Sequence, residues 1–205
     1  MSMVASLALD EAFADPTPYP LFARWYADAE NANFPDYNAL TLATSTPEGR
    51  PSARIVLLRG FDERGFAFYT NYESRKGREL DANPHAAMVF FWSLFQRQVR
   101  VEGAIVKQSA EESDYYFSNR PVGHRLGALV SPQSQVIPSR DFLEQRMEAL
   151  TKEYQGLDVP RPEHWGGYRL VPSAIEFWQG RENRLHDRLR YRASASGWIL
   201  ERLAP

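Results

Sequence analysis

The stretch SARIVLLRGFDERGFAFYTN, residues 52–71, decides the fold class. Two runs rich in apolar, aromatic and β-branched residues, 52–61 and 65–71, flank the turn signal DERG (62–65), which is the pattern of strand, tight turn, strand. Outward from it the same pattern continues. ALTLATS (39–45) precedes it across the turn signal TPEGR (46–50), and HAAMVFFW (85–92) and RQVRVEGAIV (97–106) follow it. Five short strands within about 70 residues imply an antiparallel barrel or sandwich and not a βαβ fold, and the chain returns to strands from residue 165.

Helices punctuate this sheet. PLFARWYADAENA (20–32) carries Leu21, Phe22, Trp25 and Ala29 on one helical stripe. Ser74 is an N-cap for a helix running to Asn83. Ser109 and Glu112 form a capping box for AEESDYYFSN (110–119), which Pro121 ends, and SRDFLEQRMEALTKEY (139–154) is long and amphipathic. The expected class is therefore mainly β with peripheral helices, α+β. Residues 1–19 read as a flexible N-terminal segment ahead of a single domain over 20–205.

At 205 residues the chain can bury roughly 70% of its unfolded surface without a metal or disulfide staple. Lys and Arg number 24 against 26 Asp and Glu, a net charge of −2, so a nucleic-acid footprint spread over the protein is disfavoured. The absence of cysteine excludes disulfides, thiolate nucleophiles and Cys-ligated metals. His85, His124, His164 and His186 lie far apart without ligand spacing, so no metal is expected. MSMVASLALDEAFADP (1–16) lacks a basic leader, and no apolar run approaches the roughly 18 residues of a membrane span. The reading is a soluble cytoplasmic protein with no membrane partner.

Cations cluster locally instead. In NYESRKGREL (71–80), Arg75 and Lys76 occupy the first turn of the helix capped by Ser74, where the macrodipole disfavours positive charge. An anion bound there reverses the sign, since free backbone N–H groups, Ser74 and both cations then converge on it. Arg54 and Arg59 bracket an apolar strand, a pattern that also suits plain solvated strand ends. Tyr116 and Arg120 lie four apart on the 110–119 helix, placed for a phosphate, a carboxylate or a cation–π pair. Gln98, Gln133, Ser134 and Trp178 offer neutral groups for the edge and face of a planar ring. Finally, FWQGRENRLHDRLRYR (177–192), read with a period of two, sets Arg184, His186, Arg188, Arg190 and Arg192 on one face. That face is either an anion site or a charged edge that prevents strand pairing. The separate clusters suggest two phosphorylated ligands, one a cofactor and one a substrate. No dinucleotide, P-loop, zinc-protease or serine-hydrolase motif is present.

Taken together, RIVLLRGFDERGFAFYTNYESRKGREL (54–80), RQVRVEG (97–103), YFSNRPVGHRLGA (116–128), SPQSQVIPSR (131–140), HWGGYRL (164–170), IEFWQGRENRLHDRLRYR (175–192) and ERLAP (201–205) resemble the FMN-dependent pyridoxine/pyridoxamine 5′-phosphate oxidases, in the family's order from about residue 20 onward. The resemblance implies an FMN-binding split β-barrel of Greek-key antiparallel strands. It also implies a homodimer with FMN at each subunit interface, and oxidation of pyridoxamine or pyridoxine 5′-phosphate to pyridoxal 5′-phosphate with O2 as acceptor and H2O2 as product. Carried over by position, FMN contacts are Arg54, Ile55, Val56, Leu57, Leu58, Tyr69, Thr70, Arg75, Lys76, Gln98, Gln133, Ser134, Trp178 and Arg188. Substrate contacts are Arg59, Tyr116, Arg120, His124, Arg184 and His186, with Arg184 and His186 the expected catalytic pair. Arg59 stands where the family usually has lysine, His124 where it has a small hydroxyl residue, and the family's basic, tyrosine-bearing lid is not recognisable in MSMVASLALDEAF (1–13). The competing functions are a phenazine-biosynthesis-type FMN oxidase, against which Tyr116 and Arg120 speak, and a non-catalytic FMN or pyridoxal phosphate binding protein.

Overall fold

Residues 8–205 are described by a computed structural model; residues 1–7 of the expected N-terminal segment lie outside the described residues. From residue 8 the segment packs on the end of the chain. Leu9 is buried, a 3₁₀ turn at Glu11–Phe13 is capped by Asp10, and Arg202 donates to the Leu9 carbonyl and to Glu11.

Among the described residues nine strands form one antiparallel sheet: β1 (Ala39–Ser45), β2 (Pro51–Leu57), β3 (Gly60–Asp62), β4 (Gly65–Asn71), β5 (His85–Trp92), β6 (Arg97–Lys107), β7 (Trp165–Gln179), β8 (Asp187–Ser194) and β9 (Gly197–Arg202). Their order is β2-β1-β5-β6-β7-β4-β3, with β8 pairing β7 and β9. The long β7 organises the whole. One edge pairs with β6 along most of its length, while the other is shared, residues 165–170 taking β4 and 174–179 taking β8. Pro172 sits at the division, where it has no N–H to give a ladder. Opposite it the β6 register shifts between Glu102 and Gly103. Gly103 is required there, because a Cβ would stand 2.0 Å from the Val171 carbonyl oxygen. The sheet thus curls and parts into a split barrel.

The helices are α1 (Tyr19–Asn31), α2 (Arg75–Ala82), α3 (Ala110–Ser118), α4 (Val122–Val130) and α5 (Arg140–Glu153). α1 closes the barrel with the stripe expected from sequence: Leu21, Phe22, Trp25 and Ala29 are its buried residues. Phe22 is fully buried, with edge contacts to Phe61, Phe66 and Phe90 at centroid distances of 4.7, 4.9 and 5.2 Å. A second apolar cluster of Phe117, Leu126, Val159 and Trp165 packs α3 and α4 against the start of β7. No helix among the described residues is long and apolar enough to cross a membrane.

Three local expectations need correction. The run 52–61 is not one strand: β2 ends at Leu57, after which Leu58 N–H donates to the Asn38 carbonyl and Arg59 N–H to the Ala67 carbonyl. The backbone is changing partners from β1 to β4 at a barrel corner. Pro121 ends α3, as expected, but also starts α4, a helix that two glycines and a proline conceal from propensity and that tertiary burial of Leu126 and Val130 supports. Residues 184–186 are not strand: Glu182–Arg184 is a 3₁₀ turn with Asn183 and Arg184 at φ of 56° and 61°, and β8 begins at Asp187.

Candidate functional site

The barrel corner, the start of α2 and the α3–α4 junction surround an open cleft of about 870 Å³. Its walls carry Arg54, Ile55, Val56, Leu57 and Arg59 from β2 and the corner, Tyr69 and Thr70 from β4, and Arg75 and Lys76 from α2. Tyr116, Arg120 and His124 come from the helical layer, and Gln133 and Ser134 from the loop after α4. Fourteen of the sequence-selected residues therefore meet in one place. Among the described residues, five of the lining side chains are arginine or lysine and none is acidic.

At one end, Ser74 is fully buried and its hydroxyl accepts from the Gly77 N–H at 3.2 Å, closing the first turn of α2. Gly77 lets this turn pass against Tyr72, whose carbonyl oxygen would lie 1.9 Å from a Cβ. Lys76 Nζ then donates to Thr70 Oγ1 at 2.9 Å, Gln133 Oε1 at 3.1 Å and Ser74 Oγ at 3.3 Å, all neutral acceptors. Burial, with the charge of Arg54 added, pushes the Lys76 ammonium down to about 8. A lysine so placed lacks an anion. Behind it, Glu79 on α2 is buried and accepts from Arg75 Nε at 2.9 Å and Arg54 Nη2 at 3.3 Å.

The other end is aromatic. Tyr69, Tyr116 and Trp165 stack nearly parallel, Tyr69 on Tyr116 at 3.8 Å and 9°, Tyr69 on Trp165 at 5.6 Å and 13°. The Arg120 guanidinium lies over the Trp165 ring at 4.6 Å, and its Nη1 is buried without a hydrogen-bond partner. Burial, and the nearby Arg59 charge, lower its hold on the proton while Tyr116 opposes them. Arg54, Arg75 and Lys76 thus gather at the start of α2, and Arg120 with Tyr116 at the aromatic stack. A smaller recess of about 480 Å³, lined by Gly123, Gly127, Ala128 and Ser131 of α4 and its C-cap, adjoins the cleft across Arg120, His124 and Trp165.

The remaining selected residues do not line this cleft. Leu58 is buried in the core, 2% exposed. Gln98, Trp178 and Arg188 form one row across β6, β7 and β8, through the register pairs Gln98 with Trp178 and Trp178 with Arg188. His186 packs its ring on Trp178 at 4.7 Å and accepts from the Arg181 N–H at 3.1 Å. Arg188 is held by Glu176 through two hydrogen bonds, of 2.9 and 3.1 Å, and Arg190 by Glu201 through two more, of 2.9 and 2.7 Å. The charged face expected for 184–192 is accordingly divided: its strand portion carries paired arginines, and the turn carries Arg184 and His186.

Sequence reasoning missed Trp165 and Glu79. Trp165 stands in the quoted HWGGYRL, but only the fold stacks it on Tyr69 and Arg120. Glu79 is spaced i, i+4 from Arg75, a legible ion-pair signal.

Residues 27–153 match the family described as pyridoxamine 5′-phosphate oxidase, and 165–205 match the pyridoxine 5′-phosphate oxidase C-terminal dimerisation region. The chain is 58% identical to the pyridoxine/pyridoxamine 5′-phosphate oxidase of Gloeothece citriformis, over 96% of this chain and 92% of that one. It is 57% identical to the protein of that name from Paraburkholderia phymatum, over 97% and 93%. Among solved structures, PhzG from Burkholderia lata 383, in complex with tetrahydrophenazine-1-carboxylic acid, superposes with a TM-score of 0.93 at 34% identity, covering 98% of this chain and 99% of that one. A pyridoxamine 5′-phosphate oxidase-related, FMN-binding protein of Nostoc punctiforme shares the fold, with a TM-score of 0.72 at 19% identity over 97% of this chain and 100% of that one. With split barrel, cleft and both matched regions agreeing, this chain belongs to the pyridoxamine 5′-phosphate oxidase family.

Proposed function

We propose that the cleft holds FMN with its phosphate at the start of α2, and that the protein oxidises pyridoxamine or pyridoxine 5′-phosphate to pyridoxal 5′-phosphate, with O2 reduced to H2O2. The observation that carries the reading is the gathering of two cationic groups, Arg54, Arg75 and Lys76 at the start of α2 and Arg59 and Arg120 beside the aromatic stack, on cleft walls that carry no acidic side chain among the described residues, with Arg120 Nη1 buried without a partner there. Two ends of this kind suit two phosphates, because a guanidinium or ammonium in a dry site gains most from a charged acceptor.

The donor set fits FMN. Ser74 and the α2 N-terminus, Arg54, Arg75 and Lys76 supply phosphate donors, and Lys76 is held by neutral oxygens that leave its charge uncompensated. Tyr69, Thr70, Gln133 and Ser134 continue along the cleft with polar groups for the rest of the molecule. When bound, FMN would supply the redox chemistry of this oxidation, with O2 as the final electron acceptor. The protein's part is position. Arg59, Tyr116, Arg120 and His124 anchor the substrate phosphate, and the Trp165 face keeps Arg120 from turning away. Arg184 and His186 orient the opposite end of the pyridine ring.

We infer a homodimer in which the second group of residues, Gln98, Trp178, Arg184, His186 and Arg188, completes the site of the partner. Support comes from the match of 165–205 to a dimerisation region and from the distribution of the residues between the cleft and the β6–β8 row. The test is aerobic turnover of the FMN-loaded protein with pyridoxine 5′-phosphate, read as peroxide release and aldehyde absorbance, alongside sedimentation. Peroxide and aldehyde in equal amounts from a dimer support the reading; no turnover with flavin fully bound, or a flavin-saturated monomer, refutes it.

The likeness to PhzG favours a second reading, oxidation of a carboxylated tricycle with Arg120 holding the carboxylate, and the recess behind His124 gives additional room. Turnover of tetrahydrophenazine-1-carboxylic acid in place of the phosphorylated vitamer would establish it.

A further inference from the structure

We propose that Glu79 is the positioning residue of the phosphate end of the cleft: its one buried carboxylate fixes both Arg54 and Arg75 and leaves Lys76 as the cation awaiting the ligand. This rests on the reading of that end as the FMN phosphate site. The geometry begins in the β1–β2 ladder, where Thr44 lies opposite Ser52 and Leu42 opposite Arg54. Alternation sets Ser52 and Arg54 on the same face. α2 crosses this face and brings Glu79 down onto it. Glu79 Oε2 accepts from the Thr44 and Ser52 hydroxyls and from Arg54 Nη2, while Oε1 accepts from Arg75 Nε, so both oxygens are used and the side chain is only 7% exposed. Arg54 is further tied through Nη1 to Thr44 Oγ1 at 2.6 Å and to the Leu42 carbonyl at 3.2 Å.

No acidic side chain lines the cleft among the described residues, and Glu79 is the carboxylate that holds both arginines from behind. Burial alone would raise the Glu79 carboxyl, but hydrogen bonds from Ser52, Thr44 and Arg75, with the Arg75 charge, outweigh it and hold it at about 2. It is therefore ionised throughout the range in which a protein of this kind works. Two effects of its removal oppose each other. A lost negative charge strengthens the long-range pull on a phosphate dianion, but that pull is screened by salt. Against it, Arg75, 63% exposed, is released to water, and Arg54 loses an acceptor. Hydrogen bonding to phosphate depends on the placed fork of a guanidinium and on a protonated lysine, so placement wins.

The experiment titrates flavin-stripped full-length protein with FMN and with riboflavin, which lacks the phosphate, across pH, for the wild type, Glu79→Gln and Glu79→Asp. For the wild type, FMN affinity falls as pH rises past about 8, where unliganded Lys76 loses its proton. Arg54 of β2 is the charged group that acts on Lys76, Arg75 and Glu79 lie on its own helix, and its acceptors Thr70, Ser74 and Gln133 are neutral. Glu79→Gln is expected to weaken FMN on the order of tenfold at neutral pH, the worth of one charge-assisted hydrogen bond. Riboflavin affinity stays unchanged. Glu79→Asp, with the charge kept but withdrawn by one methylene, also weakens FMN, and it carries the test should the glutamine variant fail to fold. Wild-type FMN affinity in either variant overturns the proposal, as does tighter FMN binding by Glu79→Gln, which would make Glu79 a plain counter-ion. Equal wild-type affinity for FMN and riboflavin would instead remove the phosphate-site reading, and the proposal with it.

Discussion

Replacing Arg120 by alanine separates two roles that a half-buried arginine can have, brace and anchor. In the unliganded protein the guanidinium gains a cation–π contact with Trp165 at 4.6 Å, worth about 0.5–2 kcal/mol. It also carries a buried Nη1 without a partner, which costs about 1–3 kcal/mol. The two nearly cancel, so Arg120→Ala should change folding stability by no more than about 1 kcal/mol. With substrate phosphate bound, the same Nη1 gains an acceptor. Two charge-assisted hydrogen bonds at the lower end of their range, about 1.5 kcal/mol each, sum to about 3 kcal/mol, on the order of a hundredfold in affinity. The assay compares KM for pyridoxine 5′-phosphate with KM for unphosphorylated pyridoxine, beside flavin content and thermal midpoint. Expected are a rise of about a hundredfold for the phosphorylated substrate only, full flavin and an unmoved midpoint. A variant that loses about 3 kcal/mol of stability yet still prefers the phosphorylated substrate would make Arg120 a brace for Trp165, and the reasoning would be wrong.

The double substitution Arg75→Ala with Lys76→Ala should release FMN on gel filtration while leaving residual substrate affinity intact; stoichiometric flavin with collapsed substrate affinity would reverse the assignment of the two ends. Arg184→Ala should keep flavin, raise KM and slow anaerobic bleaching of the flavin by saturating pyridoxine 5′-phosphate; arginine and alanine share the cost of φ 61° at this position, so strain does not confound the result. Arg190→Ala should do little, because its partner is a surface pair with Glu201 of about 0–1 kcal/mol, and equal effects of these two substitutions would make the charged face diffuse. Phe22→Ala should cost about 3–5 kcal/mol in urea denaturation, since the ring is wholly buried among Phe61, Phe66 and Phe90; a loss under about 1 kcal/mol would mean that α1 is not the plug of the barrel.

Local chemistry alone determined the strands, the α1 stripe, the Ser74 cap and the Ser109–Glu112 capping box, because alternation, periodicity and capping act over two to four residues and are written contiguously. The anomaly of Arg75 and Lys76 in a first turn was legible for the same reason: the macrodipole makes it a local electrostatic conflict. Tertiary structure decided what local rules oppose or do not reach. α4 forms despite Pro121, Gly123 and Gly127 because Leu126 joins the cluster of Phe117, Val159 and Trp165 and Val130 is buried as well. The run 52–61 breaks at Leu58 because the backbone there leaves β1 for β4, and that corner is what brings Arg59 into the cleft with Arg120. Residues 184–186 leave the strand for a turn that puts His186 on Trp178. Above all, whether a given arginine is free for a ligand or spent on a carboxylate is not a property of its neighbours in sequence. Arg190 looked like Arg184 in the alternating pattern, yet Glu201, 11 residues away, neutralises it. Charge pairing acts through space, so only the folded chain divides the cations it spends on itself from those it keeps for a ligand.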